Sequence, residues 1–472
     1  MIKIIKNMSY AFLANIISIL ITTIITFFLP KIISVQDYSY WQLYMFYISY
    51  VCFFHLGWID GIYLRYAGKK YEDLDSKTFS SQFWMINIFE LFLTVLLTLF
   101  ILTSTINDKS IILLFSILNL LLMIPKNFVQ LILQTTNRIQ EYSISILLEK
   151  ILYIIFISLT LFLGMRSFIP IIIAEILSKV IALLINLMFI NNIVLTRPKI
   201  NKCSFIEAQK NISSGSKLMI ANTASMLILG VIKLGIERNW DIVTFGKISL
   251  AISMSNILIT FINVASVVVF PAIKQIDRSK LASIYTKIRF ILMVILFGLL
   301  AFYFPGKIVL QIWLPNYSDS IKFMAYIFPL CIFDSKVSIL INTYLKALRK
   351  EKIMLFVNIG CVFLSVLVTL FFTSLFKNLN AIMLSIIFIF AIRSIILETI
   401  LTKYLKFNFI KDTIIEIFMV IVFIIVSICM KTLYSFLIYT SLYMLYLLIK
   451  KRDLEGIKML IFQYKNKTKN SH

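Results

Sequence analysis

The sequence predicts an all-α polytopic membrane protein of about fourteen transmembrane helices, and three observations carry that expectation. Charged residues make up 14% of the 472 and hydrophobic residues 60%, whereas soluble domains carry about 25% charge. Apolar stretches long enough to cross a bilayer, about 20 residues each, follow one another from end to end. Basic residues gather in alternate loops, as the positive-inside rule requires. No polar gap is long enough to fold alone. The runs are also too long and too evenly apolar for the alternating strands, roughly ten residues each, of a closed barrel.

In chain order the expected spans are 10–29, ended by Pro30, then 40–63, 83–102, 110–131, 142–163 and 168–191. After a basic gap come 217–235, 243–270, 288–304, 321–345, 354–376, 379–401, 413–430 and 433–449. The first run exceeds the roughly 7–15 residues of a signal-peptide core and no small-residue cleavage site follows, so it reads as a retained helix. With the N-terminus inside, about 31 cations, Lys126 and Arg289 among them, fall on inner segments against about 8 outside. Both termini are then cytoplasmic and the number of spans is even. The longest outer loop, 305–320, contains Trp313, a candidate interfacial anchor. The five cysteines lack metal-ligand spacing.

The stretch from Gly215 to Asp277 repeats the plan of the N-terminus, with a basic entry, an apolar hairpin around a short break and a basic exit. Spans one and seven both start inside, which relates two six-helix halves by an axis along the membrane normal. Residues 37–40 stand opposite 243–246 by position. The expected organisation is an N-terminal lobe at 1–196 and a C-terminal lobe at 197–407. An appended helix pair at 408–449 and a basic tail at 450–472 follow.

Soluble catalytic signatures are missing. The two histidines, His55 and His472, have no partner at metal-ligand spacing, and no phosphate-binding loop occurs, so no metal, nucleotide or other cofactor is expected. The net charge of +24 is an orientation signal and not a nucleic-acid footprint. Attention falls on ionisable residues within spans, which cost roughly 2.5–3.5 kcal/mol at a helix centre and face an interior or a wet cavity. These are Glu90, Glu175, Lys179, Lys233, Glu237, Lys247, Asp334, Lys336, Arg393 and Glu398. Glu175/Lys179 and Lys233/Glu237 have the i,i+4 spacing of a self-neutralising pair. Lys247, Glu398, Glu149 and Lys150 sit where snorkelling explains them. Arg393 has no acid at i±3 or i±4, and Asp334 lies two residues from Lys336, on another face of the helix. An unpaired guanidinium at midplane implies water, an anion, or an acid from another helix such as Glu90 or Glu175. The aromatic group Tyr38, Tyr40, Trp41, Tyr44 and Tyr47 fits sugar stacking or an interfacial belt equally well.

The stretch FFLPKIISVQDYSYWQLY, followed by HLGWIDGIYLRYAGKKY, resembles the start of the Wzx-like polysaccharide flippases. These are the O-antigen and capsule exporters of the multidrug/oligosaccharidyl-lipid/polysaccharide superfamily. The Leu56-Gly57-Trp58-Ile59-Asp60-Gly61 stretch and the mid-chain Ile236-Glu237-Arg238, Phe245-Gly246 and Phe270-Pro271 carry the likeness. Ser39 stands where the family has a turn glycine, and Ile232-Lys233 where an acidic–basic pair is expected. The resemblance implies a V-shaped pair of six-helix lobes in a bacterial cytoplasmic (inner) membrane. The cargo it implies is a polyprenyl-pyrophosphate-linked oligosaccharide repeat unit, moved by alternating access. The implied partners are that lipid-linked substrate, membrane lipids, and the polysaccharide polymerase and glycosyltransferases. Its diphosphate would meet cavity cations, Arg393 and Lys336 first, then Lys179, Lys233 and Lys247, with Glu90, Glu175, Asp334 and Glu237 as ion-coupling or charge-pairing acids. Rival readings are a cation-coupled multidrug exporter or peptidoglycan-precursor flippase of the same fold, and an integral-membrane polymerase or glycosyltransferase. The last would need a large outer loop.

Overall fold

A computed structural model describes residues 2–103, 105–263 and 281–451. Every regular element among them is helical, and the chain divides into two compact units, Met1–Leu250 and Ala251–His472. Twelve described helices are long and apolar enough to cross a membrane, and counting each of two bent pairs as one span gives fourteen. Each expected span has its counterpart. Phe270-Pro271, the loop cations Lys274, Arg278 and Lys280, and the basic tail from Arg452 on lie outside the described residues.

The first unit contains α1 (Ile2–Ile32), α2 (Val35–Val51), α3 (Trp58–Tyr66), α4 (Ser76–Leu102), α5 (Asp108–Leu118) and α6 (Leu120–Thr135). It continues with α7 (Ile139–Phe162), α8 (Phe168–Met188), a short α9 (Asn191–Val194) and α10 (Lys202–Asn239), and takes in the start of α11 (Ile242–Asn263). α1 packs on α7, α7 on α8, α2 on α5 and α3 on α10. Phe79, Phe83, Ile86, Phe128, Val129 and Ile132 close a core between α4 and α6. The second unit contains α12 (Leu281–Trp313), α13 (Ser318–Ile327), α14 (Leu330–Ser335), a π-helical turn (Lys336–Ile341) and α15 (Asn342–Ala347). It ends with α16 (Glu351–Phe371), α17 (Leu379–Leu405), α18 (Ile410–Cys429) and α19 (Thr432–Ile449). There α17 packs against α13, α14 and α16, and α19 lies against α12 and α18.

Helix ends account for most differences from expectation. α10 begins at Lys202 and not near 217, because Asn201 and Ser204 form a capping box that starts the helix upstream of its apolar run. Lys202 and Lys210 therefore ride on a helix and not in a linker. Pro30 and Pro305 lie inside helices, so α1 reaches Ile32 and α12 reaches Trp313. Much of the expected loop at 305–320 is thus helix, since membrane helices tolerate proline where the freed carbonyl finds another partner. Packing divides the chain at Leu250, beyond the 196/197 boundary suggested by the repeat, because α10 lies along α3.

Candidate functional site

The second unit gathers its buried charges into two groups on neighbouring faces of one broken helix. Pro329 precedes α14, and the pair Pro315–Ile327 and Leu330–Ala347 bends by 46°. At the junction of α14 with the π-helical turn, Asp334 and Lys336 point to different partners, as their two-residue spacing requires. Asp334 Oδ1 lies 3.3 Å from Arg393 on α17, whose Nε donates to Asn358 Oδ1 on α16 at 2.9 Å. Of the alternatives left open for Arg393, pairing with a carboxylate is the one observed. Its acid comes from another helix, and that acid is Asp334, not Glu90 or Glu175.

Lys336 is fully buried and donates to Glu398 Oε2 at 2.9 Å and to Glu416 Oε2 at 2.6 Å. Arg289 on α12 reaches the same carboxylates, with Nε to Glu398 Oε1 at 2.7 Å and Nη2 to Glu416 Oε1 at 2.7 Å. Tyr285 donates to Glu398 Oε1 at 2.8 Å, and Asp412, 3.3 Å from Arg289, links the group to Lys450 at 2.9 Å. Two cations and two carboxylates thus neutralise one another without exposure, a geometry in which removing any one member strands its partners. Glu398 is a centre of this network and not a snorkelling end group. Arg289, counted as an inner-face cation, is 4% exposed and belongs to the interior. Glu416 gave no signal in the sequence beyond a lone acid in an apolar run.

The first unit is less closed. Lys179 pairs with Glu175 at 2.9 Å, as the spacing predicts, and also donates to Asn119 Oδ1 at 2.8 Å. Asn119 Nδ2 donates to Tyr44 Oη at 2.9 Å, and Trp41 Nε1 to Tyr153 Oη at 3.2 Å. Tyr38, Trp41 and Tyr44 are therefore buried with polar tips engaged, so they do not form an interfacial belt. Lys126, also counted as an inner-face cation, sits on α6 beside Glu149 at 2.5 Å. The expected Lys233/Glu237 pair does not form, because Lys109 at the start of α5 takes Glu237 at 2.6 Å. The Lys233 ammonium lies instead over the rings of Phe46 and Phe245, 4.9 and 5.2 Å from their centroids. Among the described residues it makes no ion pair or hydrogen bond. Lys247 is half-buried on α11. Glu90 is fully buried, and among the described residues neither of its oxygens nor the Thr94 hydroxyl one turn on has a hydrogen-bond partner.

The two motif hairpins meet inside this unit. Ser34 caps α2 by accepting from Asp37 N at 3.0 Å, and Asp241 accepts from Thr244 N at 3.2 Å and from its hydroxyl at 2.6 Å. That hydroxyl holds the Asp241 carboxyl below the ordinary carboxylate range. Matching the caps pairs Asp37 with Thr244, Tyr38 with Phe245 and Ser39 with Gly246, one residue from the register read off the sequence. Ser39 and Gly246 touch: a Cβ on Gly246 would fall 1.9 Å from Ser39 Oγ. At the other end of the first hairpin, Leu56 and Gly57 adopt positive φ where Val35–His55 and Trp58–Tyr66 bend by 59°. Gly61 then lets α3 approach α10 so closely that a Cβ would lie 1.8 Å from the Asn211 carbonyl. The Leu-Gly-x-x-Asp-Gly stretch is a kink followed by a small-residue helix crossing. Among the described residues no cluster of three or more His, Cys, Asp or Glu is placed to hold a metal.

No protein-family model matches the sequence, and no curated protein matches it. Solved structures do share the architecture. The Lipid II flippase MurJ in an inward closed conformation aligns with TM-score 0.65 and 15% identity, over 95% of this chain and 99% of that one. An inward-facing multidrug resistance MATE family transporter of the MOP superfamily aligns with TM-score 0.64 and 12% identity, over 84% and 99%. A MOP superfamily transporter from Pyrococcus furiosus aligns with TM-score 0.54 and 13% identity, over 85% and 97%. At these identities the likeness is one of fold: this chain has the polytopic helical architecture found in MATE transporters and in MurJ.

Proposed function

We propose that this protein is a flippase of a bacterial cytoplasmic membrane that moves a polyprenyl-pyrophosphate-linked oligosaccharide repeat unit outward for surface polysaccharide synthesis, both termini being cytoplasmic. The observation that carries the reading is the reach of the likeness to the Lipid II flippase, 95% of this chain against 84% for the MATE transporter and 85% for the Pyrococcus furiosus transporter named above. The motif hairpins point to the same cargo class. Lys233 is the cation we assign first to the diphosphate, because phenyl faces hold it and no carboxylate neutralises it among the described residues. Lys247, half-buried on α11, is the second candidate. Lys179, Lys336 and Arg393 act on the cargo only when their carboxylates let go, so their resting task is to hold helices together. Polymerase and glycosyltransferases are the proposed partners, and the protein itself performs no covalent chemistry.

The test is Lys233→Ala in a strain whose surface glycan depends on this protein. Glycan is expected to disappear while membrane abundance stays at the wild-type level. Normal glycan removes Lys233 from the site. Failure of the wild-type protein in liposomes to flip a polyprenyl-diphosphate oligosaccharide removes the cargo. A second reading, a cation-coupled multidrug exporter, is favoured by one observation, the buried Glu90 carboxyl, which has no hydrogen-bond partner among the described residues. Under that reading Glu90→Gln abolishes drug efflux driven by an ion gradient and leaves surface glycan unchanged.

A further inference from the structure

A groove of about 650 Å³ runs along the first unit between α4 and the start of α10, lined by Trp58, Met85, Phe92, Ile200, Phe205 and Ala208, with Ile88 and Gln209 beside them. Its walls are almost wholly apolar. One end lies on the membrane-spanning part of α4, where Ile88 and Phe92 are 55% and 62% exposed and so face acyl chains. Met85 to Phe92 rises about 10 Å along the helix. The other end is Ile200, between Lys199 and Lys202. Arg197, Lys199 and Lys202 are exposed, and none makes an ion pair among the described residues. The only acid between residues 195 and 215 is Glu207, and Arg65 and Tyr66 hold it, each at 2.6 Å.

The basic end is fixed in place. Ser80 Oγ donates to the Thr196 carbonyl at 2.5 Å, the Lys199 amide to Ser81 Oγ at 2.9 Å, and Gln82 Nε2 to the Ser204 carbonyl at 2.9 Å. Trp84, on the same turn of α4, reaches the Val194 carbonyl at 3.4 Å. An apolar trough thus runs from exposed apolar side chains of α4 to Ile200, which three exposed cations without an ion pair among the described residues flank in sequence, and Trp84 ties the same turn of α4 to that segment. That order of surfaces matches one molecule, an amphiphile with a negative head.

We propose that this groove is a binding site for an anionic diacyl phospholipid, an acyl chain lying along α4 and the phosphate facing Arg197, Lys199 and Lys202. Basic residues at a membrane surface attract anionic lipid with about 1 kcal/mol each, and a zwitterionic head group forfeits most of that attraction. The site is independent of the cargo proposed above. It ties the segment joining α9 to α10 to the composition of the surrounding leaflet.

Full-length protein in detergent, offered equal amounts of phosphatidylglycerol and phosphatidylcholine with identical chains, reads this out by native mass spectrometry. The wild type is expected to retain phosphatidylglycerol preferentially. Triple substitution Arg197→Gln/Lys199→Gln/Lys202→Gln lowers that retention by about tenfold or more. Ile200→Ser/Phe205→Ser lowers retention of both lipids. The matched triple Lys403→Gln/Lys406→Gln/Lys411→Gln removes the same charge from exposed positions elsewhere and is expected to change little. All these positions are exposed, so melting temperatures should stay near wild type. Equal retention of the two lipids by the wild type overturns the proposal, as does an equal loss in the matched triple. Displacement of phosphatidylglycerol by equimolar polyprenyl monophosphate also overturns it, since the groove then belongs to a single-chain carrier.

Discussion

The two units treat buried charge in opposite ways. In the second, Lys336, Arg289, Glu398 and Glu416 neutralise one another at 2.6–2.9 Å, and Asp334 does the same for Arg393. In the first, Lys233 rests on phenyl rings and Glu90 has no hydrogen bond among the described residues, although Lys179, Lys126 and Lys109 are all paired. Depth in the membrane does not separate the two cases; a partner on a neighbouring helix does. Charges that satisfy one another stabilise a bundle, whereas a charge left over costs stability and persists where it does something else.

The largest effect that would break this contrast is expected at Glu398. Glu398→Ala leaves Lys336 and Arg289 under-neutralised and should cost about 3–5 kcal/mol, seen as a fall in unfolding midpoint and in membrane abundance. Wild-type abundance would mean that the network is not closed. Lys336→Met/Glu398→Leu should recover much of the loss, because replacing a buried pair by apolar groups is often neutral. Glu90→Leu should move the other way, stabilising by about 1–3 kcal/mol through removal of an unsatisfied buried group. A destabilised Glu90→Leu would reveal a partner for that carboxyl. Lys233→Met should change stability by no more than about 1 kcal/mol, the lost ring contacts being offset by removal of an uncompensated charge, while surface glycan is lost. The smallest effect concerns the cap of α11. Asp241→Ala should cost about 1 kcal/mol at neutral pH and Asp241→Asn much less. Because the folded-state carboxyl is held below its ordinary value, its contribution is complete above the unfolded pKa and fades as pH falls through the folded one. Melting temperatures between about pH 2 and 6 should therefore show less acid sensitivity in Asp241→Asn.

The spans were legible because a bilayer imposes length and hydropathy residue by residue, so the twelve spanning helices and the two bent pairs among the described residues needed no tertiary information. Glu175–Lys179 was legible for the same local reason, four residues being one helical turn. Arg393 was not, because Asp334 lies 59 residues away and only packing brings α14 to α17. Lys126 and Arg289 misled the charge tally, since a cation near a span end reads alike whether it meets solvent or a carboxylate from another helix. Lys233 misled in the opposite direction: spacing offered it Glu237, but Lys109 reached that carboxylate first. The start of α10 was hidden because its first turns are polar and held by the Asn201 cap.

The contact of Ser39 with Gly246 has a consequence for how such chains can vary. Its serine hydroxyl turns back to its own helix, onto the Val35 carbonyl at 2.6 Å, and so leaves just room for a bare α-carbon opposite. One methyl added at 246 would meet Ser39 Oγ at 1.9 Å, its Cβ at 2.4 Å and its backbone Cα at 2.7 Å, so even a glycine at 39 leaves no room unless the two helices part. Homologous chains that keep this crossing should therefore hold a glycine at 246 and only a small residue at 39, although more than two hundred residues separate them.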